Sequence, residues 1–199
     1  MNKQSVPTSK KDKTKSAALF GQNVTAKRKS LKMTLKALSE VTDLSVATLS
    51  RIENGLLSVT YDNMILIAAG LGVDVVDLLQ SHSGPERTRR SVMRKGEGDV
   101  YETEVYHYEM LHTDLLARAM NPIRATLKAR SIRDFGSLKT HSGEEFFVVL
   151  RGEVELHAEH YAPVKLSPGD SAYFDSTMGH ALLAANEEDA EIIWVATSI

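Results

Sequence analysis

The hydrophobic period of this chain changes once, near Asp99, and that change constrains the fold more than any other feature. Before it, apolar residues recur every three to four positions, the spacing of amphipathic helices. The pattern predicts helices over Leu19–Leu31, Leu35–Val41, Val46–Glu53, Tyr61–Gly70 and Val75–Leu79, a compact five-helix unit. After it come short alternating runs: Val100–Leu111, Ile123–Ala129, Glu145–Leu150, Glu153–Ala158, Ser171–Phe174, His180–Ala185 and Glu191–Thr197. Turn signals such as Arg151-Gly152 and Ser167-Pro168-Gly169-Asp170 separate several of them, as in an antiparallel sandwich or barrel. The expected fold class is therefore α+β, an all-α part followed by an all-β part.

Charge divides at nearly the same place. Residues 1–95 hold 16 Lys and Arg against 8 Asp and Glu, and residues 96–199 hold 8 against 18. Halves of opposite sign suggest two domains with different partners: a basic half suits a phosphate backbone and an acidic half is repelled by one. We read residues 1–18 as a disordered basic tail, 19–80 as the helical domain, 81–98 as a polar linker and 99–199 as the β domain. The chain has no cysteine, which excludes disulfides, thiolate metal sites and thiol nucleophiles. No apolar run reaches membrane length and the N-terminus lacks the apolar stretch of a signal peptide, so a soluble, cytoplasmic protein with no membrane partner is expected. There is no Gly-rich phosphate loop and no Ser elbow.

Within the helical half, Leu35 to Asn54 has the spacing of two helices joined by a tight turn, the second of which can lie in a DNA major groove. Thr34 and Ser45 are placed to cap the two helices, and Asn54-Gly55 ends the second. Leu38, Leu44, Leu49 and Ile52 fall on the inward faces, and the small Ser39 permits close crossing. Ser45, Val46, Ala47, Thr48 and Arg51 then project outward. Arg51 has the fork that matches guanine, Val46 and Ala47 suit a thymine methyl, and Thr48 reaches a base or a phosphate. Lys27, Arg28, Lys29, Lys32 and Lys36 would serve phosphates. The window resembles the XRE, or lambda-repressor-like, helix-turn-helix family, most closely over Leu35–Gly55 with the run SRIENG at Ser50–Gly55. That resemblance implies a homodimer on a roughly palindromic duplex DNA operator.

In the β half, Glu145, Phe147 and Val149 share one face of a strand, and His141 has the same parity. If that face points inward, a carboxylate stands in an apolar interior and needs a partner or a metal. His180 begins a later strand and could complete a set of two His and one carboxylate, which suits Fe and also Zn, Mn or Ni. These residues resemble the two cupin motifs: Glu145, six residues and then Gly152 for the first; Pro168-Gly169-Asp170 with His180 for the second. The resemblance implies a small jelly-roll barrel with a central pocket. Phe147 and Lys139 are candidates to face an effector there, and Tyr106 and Tyr108, alternating on one face, could line the pocket, fill the core or cover a sheet edge. It departs where Lys139 stands in place of an earlier His, where Gly179 replaces a Pro, and where Asn186 lies late. Lys139 could instead offer a cation to an anionic group.

Two functions follow as expectations. The domain order resembles XRE-cupin regulators, which implies a sequence-specific transcriptional regulator whose barrel binds a small-molecule effector, with or without a divalent metal, and no catalytic residues. The alternative is a mononuclear non-heme iron oxygenase or epoxidase of the cupin class acting on a small phosphonate-like substrate, since the spacing of His141, Glu145 and His180 is similar to hydroxypropylphosphonate epoxidase. An outward Arg51 and a basic first helix favour the regulator.

Overall fold

The computed structural model describes residues 10–57, 59–79, 89–115 and 118–197. Residues 1–9 of the expected tail and 80–88 around the start of the expected linker lie outside them. The fold is α+β, with helices first and two antiparallel sheets after.

The first helix, α1 (Lys10–Ser30), is longer than the apolar pattern suggested. Lys10–Ala18, expected to be disordered, are helical. Their Lys and Ala content favours helix by propensity, a signal invisible to a search for an apolar stripe. Helix α1 then lies directly on the element that follows the turn. A Cβ at Gly21 would stand 2.3 Å from the Ile52 carbonyl oxygen, so only glycine permits this approach. Helices α2 (Leu35–Thr42), α3 (Val46–Glu53), α4 (Tyr61–Leu71) and α5 (Val75–Leu79) match the predicted elements to within a residue. Thr34, Ser45 and Thr60 cap α2, α3 and α4, each side chain accepting a backbone N–H of the first turn. The α2–α3 turn is closed by Asp43 in the left-handed conformation, φ 56°, and by Ser39 Oγ donating to the Leu44 carbonyl at 2.6 Å.

The larger sheet has the order β1-β2-β3-β9-β4-β7. Its strands are β1 (Asp99–Glu102), β2 (Tyr106–Met110), β3 (Met120–Leu127), β4 (Glu144–Arg151), β7 (Ser171–Asp175) and β9 (Ala190–Thr197). The smaller sheet, β6-β5-β8, comprises β5 (Val154–Ala158), β6 (Val164–Leu166) and β8 (His180–Ala184). The predicted run 100–111 is split by a turn into β1 and β2. Strand β6 and the one-turn helix α6 (Ile132–Phe135) escaped prediction because three or four residues carry no readable period. Alternation holds on β4 and β9: Glu145, Phe147 and Val149, and Ile192, Trp194 and Ala196, face inward. Every residue of β8 is buried.

The helical unit and the sheets share an interior. The Tyr61 amide donates to Tyr108 Oη at 3.1 Å, Tyr101 Oη donates to the Leu79 carbonyl at 2.7 Å, and Arg118 pairs with Asp74 at 2.8 Å. The Tyr61 ring meets Trp194 edge-on, 5.7 Å between centroids.

Gly21→Ala is expected to destabilise the fold by about 1–3 kcal/mol, as overpacking of a close contact does. Chemical denaturation followed by circular dichroism measures it; a wild-type midpoint would refute the close-approach argument.

Candidate functional site

Two surfaces have the residues for chemistry or recognition, one buried and one exposed. The buried one forms where the two sheets and α4 meet. Strand β4 carries Glu145 inward, the loop before it carries His141, and β8 opens with His180. His141 is held by its backbone N–H to the Ser176 carbonyl, and His180 by a two-way backbone bridge to Lys139. His141 Nε2 lies 2.8 Å from Glu145 Oε1, and His180 Nε2 lies 3.5 Å from Glu145 Oε2. The three residues singled out in the sequence thus lie side by side.

The sequence pattern missed a fourth. Asp62, in the first turn of α4, points its carboxylate into the same space, Oδ1 3.9 Å from His180 Nε2. Ligand atoms of Asp62, His141, Glu145 and His180 all lie within 4.8 Å of one another. Exposures are 1%, 5%, 0% and 2% respectively. Nothing local marks Asp62, which reads in sequence as an ordinary acidic residue near a helix start.

Both imidazoles are oriented from behind. His141 Nδ1 bonds the Ser142 carbonyl and His180 Nδ1 the Met178 carbonyl, each at 3.0 Å. A carbonyl only accepts, so each Nδ1 carries the proton and each Nε2 turns inward, the arrangement of metal-binding histidines. Asp62 Oδ2, Glu145 Oε2 and His180 Nε2 are buried without any hydrogen-bond partner. Orphaned polar atoms converging on one point are costly unless a further group satisfies them. Two imidazoles and two carboxylates fit a divalent ion of the Fe, Zn, Mn or Ni kind.

Burial alone would lower the pKa of His141, but the bond and charge of Glu145 outweigh it and the net shift is upward from 6.5. Burial raises the Glu145 carboxyl above its ordinary 4.5, with His141 opposing. The pair therefore holds a proton more firmly than either group does in water.

The expected effector pocket is corrected. Tyr106, Tyr108 and Phe147 do face inward, but they fill the interior. The rings of Tyr106 and Tyr108 pack edge-on at 5.3 Å, Tyr106 Oη donates to the Leu182 carbonyl, and Tyr108 Oη receives the Tyr61 amide. Lys139 offers no cation to the interior: its ammonium donates to Ser137 Oγ at an exposed position.

The exposed surface is the outer face of α3. Leu49 and Ile52 are buried, whereas Ser45, Val46, Ala47 and Arg51 are exposed, Val46 at 44%. Thr48 is half-buried, its hydroxyl 2.8 Å from Ser45 Oγ at the cap. Lys36 is exposed beside Glu40, Lys29 and Lys32 are exposed, and Lys27 is half-buried. Arg28 is a correction. It is buried, forked onto Glu53 at 2.6 and 2.8 Å, and its Nη1 donates to the Met33 carbonyl. A planar guanidinium at the end of α1 meets a carboxylate at the end of α3, so Arg28 braces the helical unit and is not available to phosphate.

Residues 24–78 match the Helix-turn-helix family and residues 134–196 the Cupin domain family. The chain therefore carries a helix-turn-helix domain of XRE type in its N-terminal half and a cupin domain in its C-terminal half. Among solved structures, it resembles an HTH_3 family transcriptional regulator from Vibrio cholerae. Identity is 19%, with 93% of this chain and 98% of that chain covered, at a TM-score of 0.65. Hydroxypropylphosphonic acid epoxidase from S. wedmorenis matches at 23% identity over 92% of this chain and 99% of that chain, at a TM-score of 0.46. At such identities the first likeness speaks for the fold alone and the second decides nothing. No curated protein matches the sequence. Among the described residues, no helix is long and apolar enough to cross a membrane.

Glu145→Ala is expected to abolish loading of Zn(II), measured by elemental analysis after dialysis; unchanged metal content would end the metal assignment. Because the ion must displace the proton shared by His141 and Glu145, which the pair holds more firmly than a free imidazole does, Zn(II) affinity should rise with pH through and above the ordinary imidazole range, with proton release. Calorimetry in buffers of different ionisation enthalpy reads both; a pH-independent affinity would contradict the bound proton.

Proposed function

We propose that this protein is a sequence-specific DNA-binding transcriptional regulator that acts as a homodimer on a roughly palindromic operator. The single observation that carries the reading is the open outer face of α3. Its inward residues Leu49 and Ile52 lock it against the rest of the helical unit, while Ser45, Val46, Ala47 and Arg51 face solvent. Had α3 been covered by the sheets, no groove could have reached it. In this reading Arg51 pairs with a guanine, Val46 and Ala47 touch apolar base surface, Ser45 and Thr48 approach the backbone at the helix start, and Lys27 and Lys36 contact phosphates. The remaining exposed cations, Lys29 and Lys32, add to a field that attracts DNA without choosing sequence.

The cupin half is then the sensor. Its ligand set accepts a divalent ion, and a small-molecule effector acts at or through that ion by binding one arrangement of the dimer better than the other. The buried triad of His141, Glu145 and His180 also suits the oxygenase reading. Against it stands the exposed outer face of α3 with Arg51, for which an enzyme would have no use.

A gel shift on DNA upstream of the protein's own gene, with salt titration, tests the regulator. Binding should fall steeply with salt and prefer one sequence. Arg51→Ala should lose about 1–3 kcal/mol of discrimination at one base position, whereas Lys36→Ala should weaken all sequences alike and reduce the salt slope by about one. Equal affinity of wild type and Arg51→Ala for every sequence removes Arg51 from base reading. No DNA binding, together with Fe(II)-dependent oxygen uptake on a phosphonate, would replace the regulator by the enzyme.

A further inference from the structure

The four groups of the buried cluster come from both halves of the chain. His141, Glu145 and His180 belong to the sheets and the loop between them, whereas Asp62 belongs to a helix of the DNA-reading unit. We infer that Asp62 is a ligand of the same divalent ion as the other three, so that the ion clamps the helix-turn-helix unit to the cupin barrel. This deepens the metal-site reading above and rests on it.

Three observations carry the inference. The first is geometric. Asp62 Oδ1 is 3.9 Å from His180 Nε2, too far for a hydrogen bond, yet all four groups fall inside a 4.8 Å span. Ligands around one ion stand apart in this way, each closer to the centre than to one another. The second is unsatisfied valence. Asp62 Oδ2 is buried with no partner, as are the facing Glu145 Oε2 and His180 Nε2. Among the described residues no Lys or Arg side chain forms an ion pair with Asp62 or Glu145. The third is charge balance. Two buried carboxylates face each other with inward Nε2 atoms between them. A divalent cation brings the set to neutrality; with only the proton shared by His141 and Glu145 in its place, one negative charge stays uncompensated in the interior.

The placement of Asp62 gives the clamp a direction. The α4 start is fixed by Thr60 as its cap and by the Tyr61 amide on Tyr108 Oη. Farther along, α4 packs on α2 at Gly70, where a Cβ would stand 2.7 Å from Thr42 Cγ2 and 3.4 Å from Leu38 Cδ1. Helix α2 ends in the turn that presents α3. An ion that pulls Asp62 toward His180 and Glu145 therefore acts on the helix against which the reading pair is packed. Linkage makes this reciprocal: whatever the ion adds to the docking of α4, docking adds to the ion's affinity.

The test uses the full-length protein with Zn(II) and Co(II) as probes. In the wild type, adding Zn(II) should slow amide exchange both in 144–151 and in 61–71. Asp62→Asn keeps the shape and removes a buried charge. It should still take up metal on the three remaining ligands, at least about tenfold more weakly, since even outer-shell losses cost that much. Its Co(II) absorption bands should differ from the wild type, and Zn(II) should protect 144–151 without protecting 61–71. In a gel shift, Zn(II) should change operator affinity of the wild type and leave that of Asp62→Asn unchanged. Wild-type metal affinity, Co(II) spectrum and protection of 61–71 in Asp62→Asn would overturn the clamp while leaving the three-ligand site intact. Should the variant fail to fold, the wild type alone decides: protection of 144–151 without protection of 61–71 overturns the proposal. A wild type that takes up neither ion overturns the metal site and the clamp together. Normal clamping without any DNA binding sinks the regulator reading and leaves the clamp standing.

Discussion

The insertion of one helix start between the two β sheets is the contact on which the rest depends. The first turn of α4 has backbone donors that need acceptors, and it finds them in Thr60 and in the phenol of Tyr108. Its side chains then face two ways. Tyr61 goes among Tyr108 and Trp194, and Asp62 goes among His141, Glu145 and His180. The positive end of a helix dipole lowers the cost of burying the Asp62 carboxylate there. This one turn sets how the helical unit sits on the sheets and makes the site a joint property of both halves.

The interior between the sheets is otherwise aromatic. Tyr106, Tyr108, Phe135 and Trp194 pack edge to face, and their bulk leaves the polar cluster as an island. Such an island persists only if its members are satisfied. The outer nitrogens of both histidines are, through the Ser142 and Met178 carbonyls, and His141 Nε2 is bonded to Glu145 Oε1, whereas Asp62 Oδ2, Glu145 Oε2 and His180 Nε2 have no partner. A closed ion-pair network, in which all members bond one another, would leave no such atoms.

On the opposite side of the helical unit, positive charge is divided by role. Arg28 is spent on holding α1 to α3 through Glu53, while Lys29, Lys32, Lys36 and Arg51 remain at the surface. The division follows side-chain chemistry. A guanidinium makes a forked pair that tolerates burial, and an ammonium is better left in water.

Most of the architecture was legible along the chain because it is written in local periods. Caps at Thr34 and Ser45, the outward Val46, Ala47 and Arg51 on α3 and the alternation of Glu145, Phe147 and Val149 depend on residues a few positions apart, and each is where the pattern put it, Thr48 alone being half-buried. Short elements and polar helix escaped, since β6, α6 and the start of α1 offer no apolar rhythm. What only the tertiary structure decided involves partners far apart in sequence. Arg28 met Glu53, Lys139 turned to Ser137, the expected pocket filled with tyrosines, and Asp62 crossed from the helices to join His180. Periodicity says which face of an element is buried. Which residue waits on the other side depends on how the elements pack, and no spacing within a single element encodes that.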